Sequence, residues 1–546
     1  MSMVETYDVI ICGAGSGGGF MAGEIAAHGS LLILDAGPYF PEEAAPGIGS
    51  PQRRKLATQM NLGTWLPDSN ESNHGRLFFT YPMYMDQSNP FSATAQREPR
   101  LVGGGSAINV GAWLRPRVVD FDGFEEETGV QGWGKSDFEP HFRRAERILH
   151  VHRDPREYWN KASILYEQIA LDMGIPVFEE ASNRHRCILC GHRLNAGMPC
   201  KYDSLMSTAL TQIPKAIQNG ATLLDNAKVL RVEISNGTAT GVTYERNGET
   251  FTANARKLVV VSAGAMGTPL LLRDSGLHSL NSNIGQYLRA HPGVPIDVLL
   301  PGDDWNSDRG YQWNIYHHVM EENGEALDSV VHASAGFPAT TPWVAAAFKI
   351  GLFGRPYKDV MRKFRGRAGA FIFEMKPAIH GRVSGSVDYP VISYPIATTT
   401  GVLEPKTLSE LVAGLRQVWE VYREMGAYSA FPNADDPAPI LHQQVSLFIT
   451  TSGALHPQGT CRAGSDPSNS VVDANLMSWD VGNLMCCDAS VVPNHISANP
   501  NSMIMAVSSR AADFVNTQIL GAGPEVTAEA EEAALAAEAA QEGASQ

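Results

Sequence analysis

The sequence predicts a chain of mixed class, α/β in its first part and α+β further on. Near the N-terminus, Val9–Ile11 indicates a buried strand, the apolar spacing of residues 20–27 indicates a helix, and Leu31–Leu34 indicates a second strand. Farther along, the stretches 310–319 and 368–387 are rich in strand formers and aromatic residues. Alternating strands and helices favour a parallel sheet, whereas the later stretches favour a separate, strand-rich unit.

A glycine-rich turn joins the first strand to the first helix. Gly13, Gly15 and Gly18 match the pattern G-x-G-x-x-G, and Asp35 follows the second strand. The first glycine permits the tight turn, the second lets the backbone approach a pyrophosphate, and the third lets helix and strand pack closely. The helix N-terminus offers N–H groups to the anion, and Asp35 accepts hydrogen bonds from a ribose but repels a 2′-phosphate. The pattern therefore predicts a Rossmann-like site for NAD or FAD rather than NADP.

Composition narrows the possible partners and location. The 546 residues include 42 Lys and Arg against 58 Asp and Glu, a formal net charge of −16, with no basic run. This balance disfavours nucleic acids and anionic membranes as partners. No apolar run approaches the length of a membrane span, and the first strand begins too early to leave room for a signal peptide. The sequence therefore predicts a cytoplasmic protein.

Two segments in the middle of the chain also place glycines next to a predicted strand or helix. Gly103–Ser106 brings bare backbone toward a ligand, and Asn109 follows within one turn. The predicted strand 258–262 leads to Gly264 and to a helix that opens near Pro269, a residue well tolerated in a first helical turn. Both segments suit close contact between backbone and a bound group.

The last segment joins a strand to the final helix of the folded part. The predicted strand 483–487 ends in Asp488 and Ala489. Asn499 is suited to cap the helix that follows, and Pro500 is suited to begin it.

In the order and spacing of these four segments, the chain resembles the glucose-methanol-choline (GMC) flavin oxidoreductases from Tyr7 to about Leu520. Residues 264–277 fit the family's second signature, with His278 in place of a usual glycine. The first signature has Pro99 where Gly or Ala is usual, and its matching residues are Arg100, Gly103, Gly104, Asn109, Trp113, Pro116 and Asp122. The resemblance implies a Rossmann-like FAD-binding domain interleaved with an antiparallel-sheet substrate-binding domain.

The resemblance also implies which residues bind FAD. Glycine-rich backbone would hold the pyrophosphate, and an acidic side chain would bind the adenosine ribose. The last helix would direct its N-terminus at the flavin. The expected residues are Gly13, Gly15, Gly18, Asp35, Gly104, Ser106, Asn109, Val229, Asp488, Ala489, Asn499 and Pro500. Some relatives attach FAD covalently to a histidine at the position of Ile108. Because a carbon side chain offers no nucleophile, we expect the FAD here to be non-covalent.

Oxidation of an alcohol by a flavin requires loss of the hydroxyl proton and transfer of a hydride to flavin N5. A neutral imidazole suits the first event, because its ordinary pKa lies close to the operating pH. By resemblance, the general base is His456 in an HPxGT turn, and Asn499 holds the developing alkoxide. His495 is a weaker candidate for the wall of the active site.

The resemblance divides the chain into two discontinuous domains and a tail. We expect the FAD-binding domain to comprise residues 1–60, 95–135, 205–300 and 447–520. The substrate-binding domain and lid segments comprise 61–94, 136–204 and 301–446, with Trp65, Trp313, Tyr316 and Phe371 as candidate lining of an aromatic pocket. Residues 521–546 form an Ala/Glu-rich tail without large apolar residues, which predicts a solvated or disordered extension.

One cysteine cluster admits two interpretations. Cys187, Cys190 and Cys200 have a spacing that suits an iron–sulfur cluster or, with a histidine, zinc. The other interpretation is a loop of free or disulfide-bonded cysteines, which we favour, so no metal ligand is assigned.

The sequence thus predicts an FAD-dependent oxidase or dehydrogenase that converts a primary or secondary alcohol to a carbonyl. The electron acceptor is oxygen, a quinone or an electron-transfer protein. One alternative is a dehydrogenase of the same family that relays electrons through a cluster at the three cysteines. Another is a non-enzymatic flavin electron relay, against which the pair His456 and Asn499 argues. A pyridine-nucleotide flavoprotein reductase would need a second complete fingerprint, which Gly264–Pro269 does not supply.

Overall fold

The computed structural model describes residues 5–40, 78–84, 93–188, 200, 202–302, 305, 313–321, 323–334, 354–355, 367–396, 403–431 and 455–523. Its α-helices, in chain order, are α1 (Gly18–Ile25), α2 (Gly104–Ile108), α3 (Val118–Thr128), α4 (Lys135–Ile148), α5 (Lys161–Asp172), α6 (Gln212–Gln218), α7 (Gly264–Asp274), α8 (Pro405–Glu424) and α9 (Asn501–Phe514). Single 3₁₀ turns occur at Arg156–Tyr158, Leu277–Ser279 and Ala489–Val491, and a π-helical turn follows α9 at Val515–Leu520.

The strands of the same residues, in chain order, are β1 (Glu5–Cys12), β2 (Leu31–Leu34), β3 (Phe78–Tyr84), β4 (Ala93–Pro99), β5 (Ala112–Trp113), β6 (His152–Arg153), β7 (Phe178–Glu179), β8 (Ala181–Ser182), β9 (Thr222–Leu224), β10 (Ala227–Ser235), β11 (Thr238–Arg246), β12 (Glu249–Val261), β13 (Arg289–His291), β14 (Gly293–Leu299), β15 (Trp313–Met320), β16 (Ala326–Ser334), β17 (Arg367–Glu374), β18 (Arg382–Gly385), β19 (Pro390–Ser393), β20 (Ser429–Phe431), β21 (Leu455–Gln458) and β22 (Leu484–Cys486).

The first large sheet has the order β10-β11-β12-β1-β2-β9, and β22 pairs with β12. Strand β1 lies parallel to both β12 and β2, whereas β10, β11 and β12 pair in antiparallel fashion. All four residues of β2 and the last four of β12 are buried. Such continuous apolar burial is typical of parallel strands covered by helices on both faces. The predicted α/β unit is therefore confirmed.

The second large sheet is antiparallel and has the order β20-β14-β17-β16-β15-β7. One of its faces packs against α8, where Gly414 permits a close approach, since a Cβ there would lie 2.7 Å from Ile372 Cγ2. The side chains of Ile315, Val331 and Ile372 belong to the apolar core beneath α8. The two strand-rich stretches of the sequence form β15, β17 and β18, as predicted, and the mixed α/β and α+β class is confirmed.

The cleft between the two sheets is where ligand-binding residues gather. The carboxyl ends of β1, β12 and β22 meet there, as expected for ligand sites in α/β folds. The face of the second sheet opposite α8 carries Phe373, which packs with Ala498, close to the N-terminus of α9. Within the described ranges, no helix is long and apolar enough to cross a bilayer. The domain limits given above stay a prediction, and the tail beyond residue 523 lies outside the described residues.

Candidate active site

The predicted glycine loop is tied to the ends of two other strands. Gly13 has a φ of +109°, and a Cβ there would lie 2.1 Å from the carbonyl oxygen of Ser262, at the end of β12. The Ser262 hydroxyl accepts a hydrogen bond from Gly18 N–H at 2.6 Å and donates one to the Cys487 carbonyl at 2.6 Å. Ser262 therefore holds the start of α1, and the N–H of Gly18 is used within the protein.

The loop also touches the second glycine cluster. A Cβ on Gly104 would lie 2.8 Å from Gly15 Cα, and Gly103 N–H donates to the Ala14 carbonyl at 2.9 Å. Two backbone segments without side chains thus form one wall. Bare backbone of this kind is what allows a pyrophosphate to come close to a glycine loop.

Asp35 closes the loop from the end of β2. Its Oδ2 accepts from Ala14 N–H at 2.9 Å and its Oδ1 from Gly37 N–H at 2.8 Å. Burial raises the pKa of Asp35 to about 6, although these two hydrogen bonds oppose the shift. Each carboxylate oxygen still has a lone pair for a ribose hydroxyl.

Two predicted cofactor residues use their side chains to shape the backbone. The Ser106 hydroxyl is buried and donates to the Gly103 carbonyl at 2.6 Å. Asn109 Oδ1 accepts from Gly111 N–H at 2.9 Å. These two hydrogen bonds fix the turn around Gly103 and the turn at Gly111, and the amide nitrogen of Asn109 is still available to a cofactor.

Asp488 similarly organises the end of β22. Its Oδ2 accepts from Gly264 N–H at 2.8 Å and its Oδ1 from Ser490 N–H at 2.8 Å. Ala489 begins the 3₁₀ turn beside it. Val229 lies half-buried on β10 against the core of the first sheet.

His456 lies on β21 with a φ of +59°, a backbone conformation that non-glycine residues rarely adopt. Its Nδ1 lies 2.9 Å from Nδ1 of His291, and its ring centroid lies 5.4 Å from that of Phe373. Burial, and to a lesser degree the nearby His332, lowers the pKa of His456 to about 3. The imidazole is therefore neutral at neutral pH.

Polar atoms without partners surround the N-terminus of α9. Asn499 Oδ1, Asn501 Nδ2 and both ring nitrogens of His495 are buried and have no hydrogen-bond partner among the described residues. Asn501 Oδ1 accepts from the hydroxyl of Ser16, in the glycine loop, at 2.8 Å. Helix α9 begins at Asn501, one residue later than predicted. These atoms, with the wall of bare backbone beside them, fit a large polar cofactor such as FAD.

The segments that carry the predicted catalytic pair meet on one aromatic side chain. Phe373 contacts the His456 ring and shares an apolar cluster with Ala498, next to Asn499. His495 stacks on His291, the partner of His456, with ring centroids 6.4 Å apart. The segments that carry His456 and Asn499 therefore lie near each other, and the catalytic roles of these two residues stay a prediction.

Asp120, which sequence reasoning did not single out, holds the loop before Asn499. Its Oδ2 accepts from Ser497 N–H at 3.0 Å and from Arg117 N–H at 2.8 Å, and its Oδ1 lies 2.9 Å from Lys376 Nζ. Asp120 is 1% exposed. It thus connects α3, the Asn499 loop and the end of β17.

Several predicted residues lie outside the described residues. They are Trp65, Cys190 and the side chain of Trp313. Tyr316 and Phe371 lie on the cleft-facing side of the second sheet, where Phe371 stacks on Phe373 with centroids 4.3 Å apart. Cys187 and Cys200 are described, and the described part of the chain contains no group of three side chains suited to hold a metal ion.

Comparison with known proteins identifies the same family that the sequence motifs resemble, along most of the chain. Models of the GMC oxidoreductase family match residues 57–293 and 386–508. A long-chain-alcohol oxidase of Arabidopsis thaliana is 25% identical over 561 residues, covering 94% of this chain and 68% of that protein. A 5-(hydroxymethyl)furfural oxidase of Methylovorus sp. is 24% identical over 568 residues, covering 94% of this chain and all (100%) of that protein.

Solved structures share the fold. A formate oxidase from Aspergillus oryzae has a TM-score of 0.70 at 18% identity, covering 94% of this chain and 98% of that chain. A fungal aryl-alcohol oxidase has a TM-score of 0.63 at 16% identity, covering 94% and 99% respectively.

Proposed function

Because the chain belongs to the GMC oxidoreductase family, we propose that it oxidises a primary or secondary alcohol to a carbonyl with His456 as the general base. As a member of this family it is an FAD-dependent oxidoreductase that acts on CH–OH donors. When bound, FAD supplies the flavin N5 that accepts a hydride from the carbinol carbon. FAD binding would use the backbone at Gly15 and Gly104, the Asp35 carboxylate and the amide nitrogen of Asn501.

The hydrogen bonds around His456 select the nitrogen that acts as the base. The Nδ1 atoms of His291 and His456 lie 2.9 Å apart, so one of the two rings donates a hydrogen bond to the other. We assign the proton of His291 to its Nε2, because His291 also forms a hydrogen bond with the backbone of Ile496. His291 Nδ1 is then an acceptor, and His456 Nδ1–H is the donor. His456 Nε2 therefore keeps its lone pair and is available to take the hydroxyl proton of the substrate.

Asn499 would stabilise the oxygen from which this proton leaves. Asn499 is 8% exposed, and no other described residue forms a hydrogen bond with its Oδ1. The side chain is free to turn its Nδ2 toward an alkoxide. An amide does not compete for the proton, which leaves His456 as the base.

The observation that carries this proposal is the 2.9 Å contact between the Nδ1 atoms of His456 and His291, which leaves the Nε2 of His456 for the substrate. We expect His456→Ala to retain FAD and to lose flavin reduction by an alcohol by about 10²–10⁴-fold, the usual contribution of a general base. Asn499→Ala should slow reduction less. The measurement is the anaerobic rate of flavin bleaching in a screen of alcohols, with bound FAD quantified for each variant. An unchanged rate in His456→Ala would remove His456 from the mechanism.

A further inference from the structure

Two buried arginines share a single carboxylate on α3. Arg289 Nη2 lies 2.8 Å and Arg462 Nη1 lies 2.7 Å from Oε1 of Glu127, and both arginines are buried. In the part of the chain that the structure describes, neither guanidinium pairs with another acidic side chain. Two positive charges and one negative charge leave a net charge of +1 in this cluster. Buried charge is costly unless a counter-ion offsets it, so the cluster favours a further negative group.

The segment that leads to His495 is attached to the same helix. Asn494 Nδ2 donates to the carbonyl of Gly123 at 3.3 Å. Gly123 lies four residues before Glu127 on α3, and residues four apart are neighbours on one side of a helix. The acid that holds the two arginines and the segment before His495 therefore lie close together on α3.

Strand β13 places Arg289 and His495 on one side of His291. A step of two residues along β13, from Arg289 to His291, matches a step of three along β21, so the extra residue belongs to β21. Side chains two residues apart on β13 project to the same side, and His495 stacks on His291 with ring centroids 6.4 Å apart. A Cβ on Gly459 would lie 3.9 Å from Arg289 Cγ and 3.5 Å from the carbonyl oxygen of Val492, three residues before His495. The side chain of Arg289 therefore packs beside the segment that carries His495.

Both side chains carry buried nitrogen atoms that the described residues leave unused. No described residue forms a hydrogen bond with Arg289 Nε or with either ring nitrogen of His495, which is 5% exposed. Burial lowers the pKa of His495 well below its ordinary value, and the positive charges of Arg289, Lys406 and Lys376 act in the same direction. The imidazole is therefore neutral, with one N–H to donate. Buried polar groups in proteins are normally hydrogen-bonded, so these donors call for an acceptor.

We propose that Arg289 and His495 bind one small monovalent anion, a halide or a short carboxylate. The Nε–H of the guanidinium and the N–H of the imidazole would donate to it, and its charge would offset the net charge of the cluster formed with Arg462 and Glu127. A water molecule would accept the same hydrogen bonds but would leave that charge uncompensated. The side chain of Glu127 is 34% exposed, so a small ion can reach the cluster from solvent. Arg289 and His495 share no atom with the proposed FAD-binding residues or with His456.

Three variants test the site. His495→Phe keeps a ring that can stack on His291 and removes both unused nitrogens, so we expect its unfolding midpoint without added anion to equal or exceed that of the wild type. Arg289→Lys keeps the positive charge beside Glu127 but lacks the Nε–H. His278→Phe is the matched control, because His278 Nδ1 is also buried without a partner among the described residues, in the 3₁₀ turn after α7 and outside the cluster.

The first measurement is the thermal unfolding midpoint of each FAD-loaded protein as sodium bromide or, separately, sodium acetate is added. General effects of salt are common to all the proteins and cancel in the comparison. We expect the midpoint of the wild type and of His278→Phe to rise by about 2 °C or more relative to His495→Phe and Arg289→Lys, since a ligand that binds only the folded state stabilises it. A rise in bromide alone assigns the site to a halide, and a rise in acetate alone assigns it to a carboxylate.

The second measurement locates the anion in crystals of the FAD-loaded wild type, soaked in the salt that gives the larger rise. Bromide is identified by its anomalous signal, and we expect the anion between Arg289 and His495. Equal responses of the wild type and His495→Phe to both salts would overturn the site, as would anions found only elsewhere on the protein. If His495→Phe fails to fold, Arg289→Lys and the crystal decide. Neither measurement depends on flavin reduction, so the proposed function stands whatever the result.

Discussion

Replacing Gly104 with alanine tests whether the contact between the two glycine loops serves the cofactor. Gly104 has a φ of +48°, and an added Cβ would lie 2.8 Å from Gly15 Cα. Ordinary contacts of a Cβ begin at 3.4 Å, so the two backbones must separate by about half an ångström or more. The left-handed conformation itself costs an alanine about 1–2 kcal/mol.

Gly174→Ala separates these two effects. Gly174 also has a positive φ, of +79°, but a Cβ there would meet nothing within 4 Å, and the residue lies after α5, away from the cleft. Both variants therefore carry the backbone strain, and only Gly104→Ala displaces the wall at Gly15. We expect Gly104→Ala to weaken FAD binding at least about tenfold, equivalent to about 1.4 kcal/mol, and Gly174→Ala to leave it unchanged.

The assay is the dissociation constant of FAD, from flavin fluorescence on titration of protein stripped of its cofactor. Thermal unfolding of both stripped variants reports the strain separately. If Gly104→Ala binds FAD as tightly as Gly174→Ala, the contact between the loops has no role in binding, and the assignment of Gly104 to the pyrophosphate is refuted.

Two further predictions concern buried groups. Asp120→Asn removes the ion pair with Lys376 and should cost about 3 kcal/mol of stability. It should lower the rate of flavin reduction by a larger factor than it weakens the affinity for the substrate. Asp122→Asn, on the exposed side of α3, is the control, and equal rates of flavin reduction in the two variants would contradict a positioning role for Asp120. Burial lowers the pKa of His317 to about 4. In the folded protein its Nδ1 lies 2.9 Å from the His318 carbonyl oxygen and its Nε2 lies 2.8 Å from the Tyr166 hydroxyl. Because the unfolded chain binds the proton from about pH 6.5 downward, His317 should remove roughly 3 kcal/mol of stability between pH 6.5 and pH 4, measured by urea unfolding. His317→Gln should show a smaller loss over this range, and an equal loss would contradict the assignment.

Local sequence signals predicted the elements whose pattern is complete within a few residues. The strand Leu31–Leu34 and the glycine turn at Gly13 were predicted as they occur, because apolar runs and glycine spacing reflect local geometry. The antiparallel nature of the second sheet required the family resemblance. No periodicity distinguishes a strand that pairs with a neighbour from one that pairs with a distant segment.

Sequence reasoning missed residues whose roles arise only from distant contacts. Ser262 receives the N–H of Gly18, 244 positions away, and Asp120 binds Ser497, 377 positions away. A serine after a strand and an aspartate in a first helical turn are both common, so neither attracts attention alone. The start of α9 was misplaced by one residue, an ordinary uncertainty at helix ends.

The hydrogen bond between Ser16 and Asn501 has a consequence for biosynthesis. It joins positions 485 residues apart, and the Ser508 hydroxyl of the same helix donates to the Gly17 carbonyl at 2.6 Å. The ribosome makes the glycine loop 485 positions before Asn501, in the helix that holds it. A nascent chain therefore carries the glycine loop without these two hydrogen bonds until the helix has been made. We therefore expect the glycine loop to take its final form only after the helix has been synthesised.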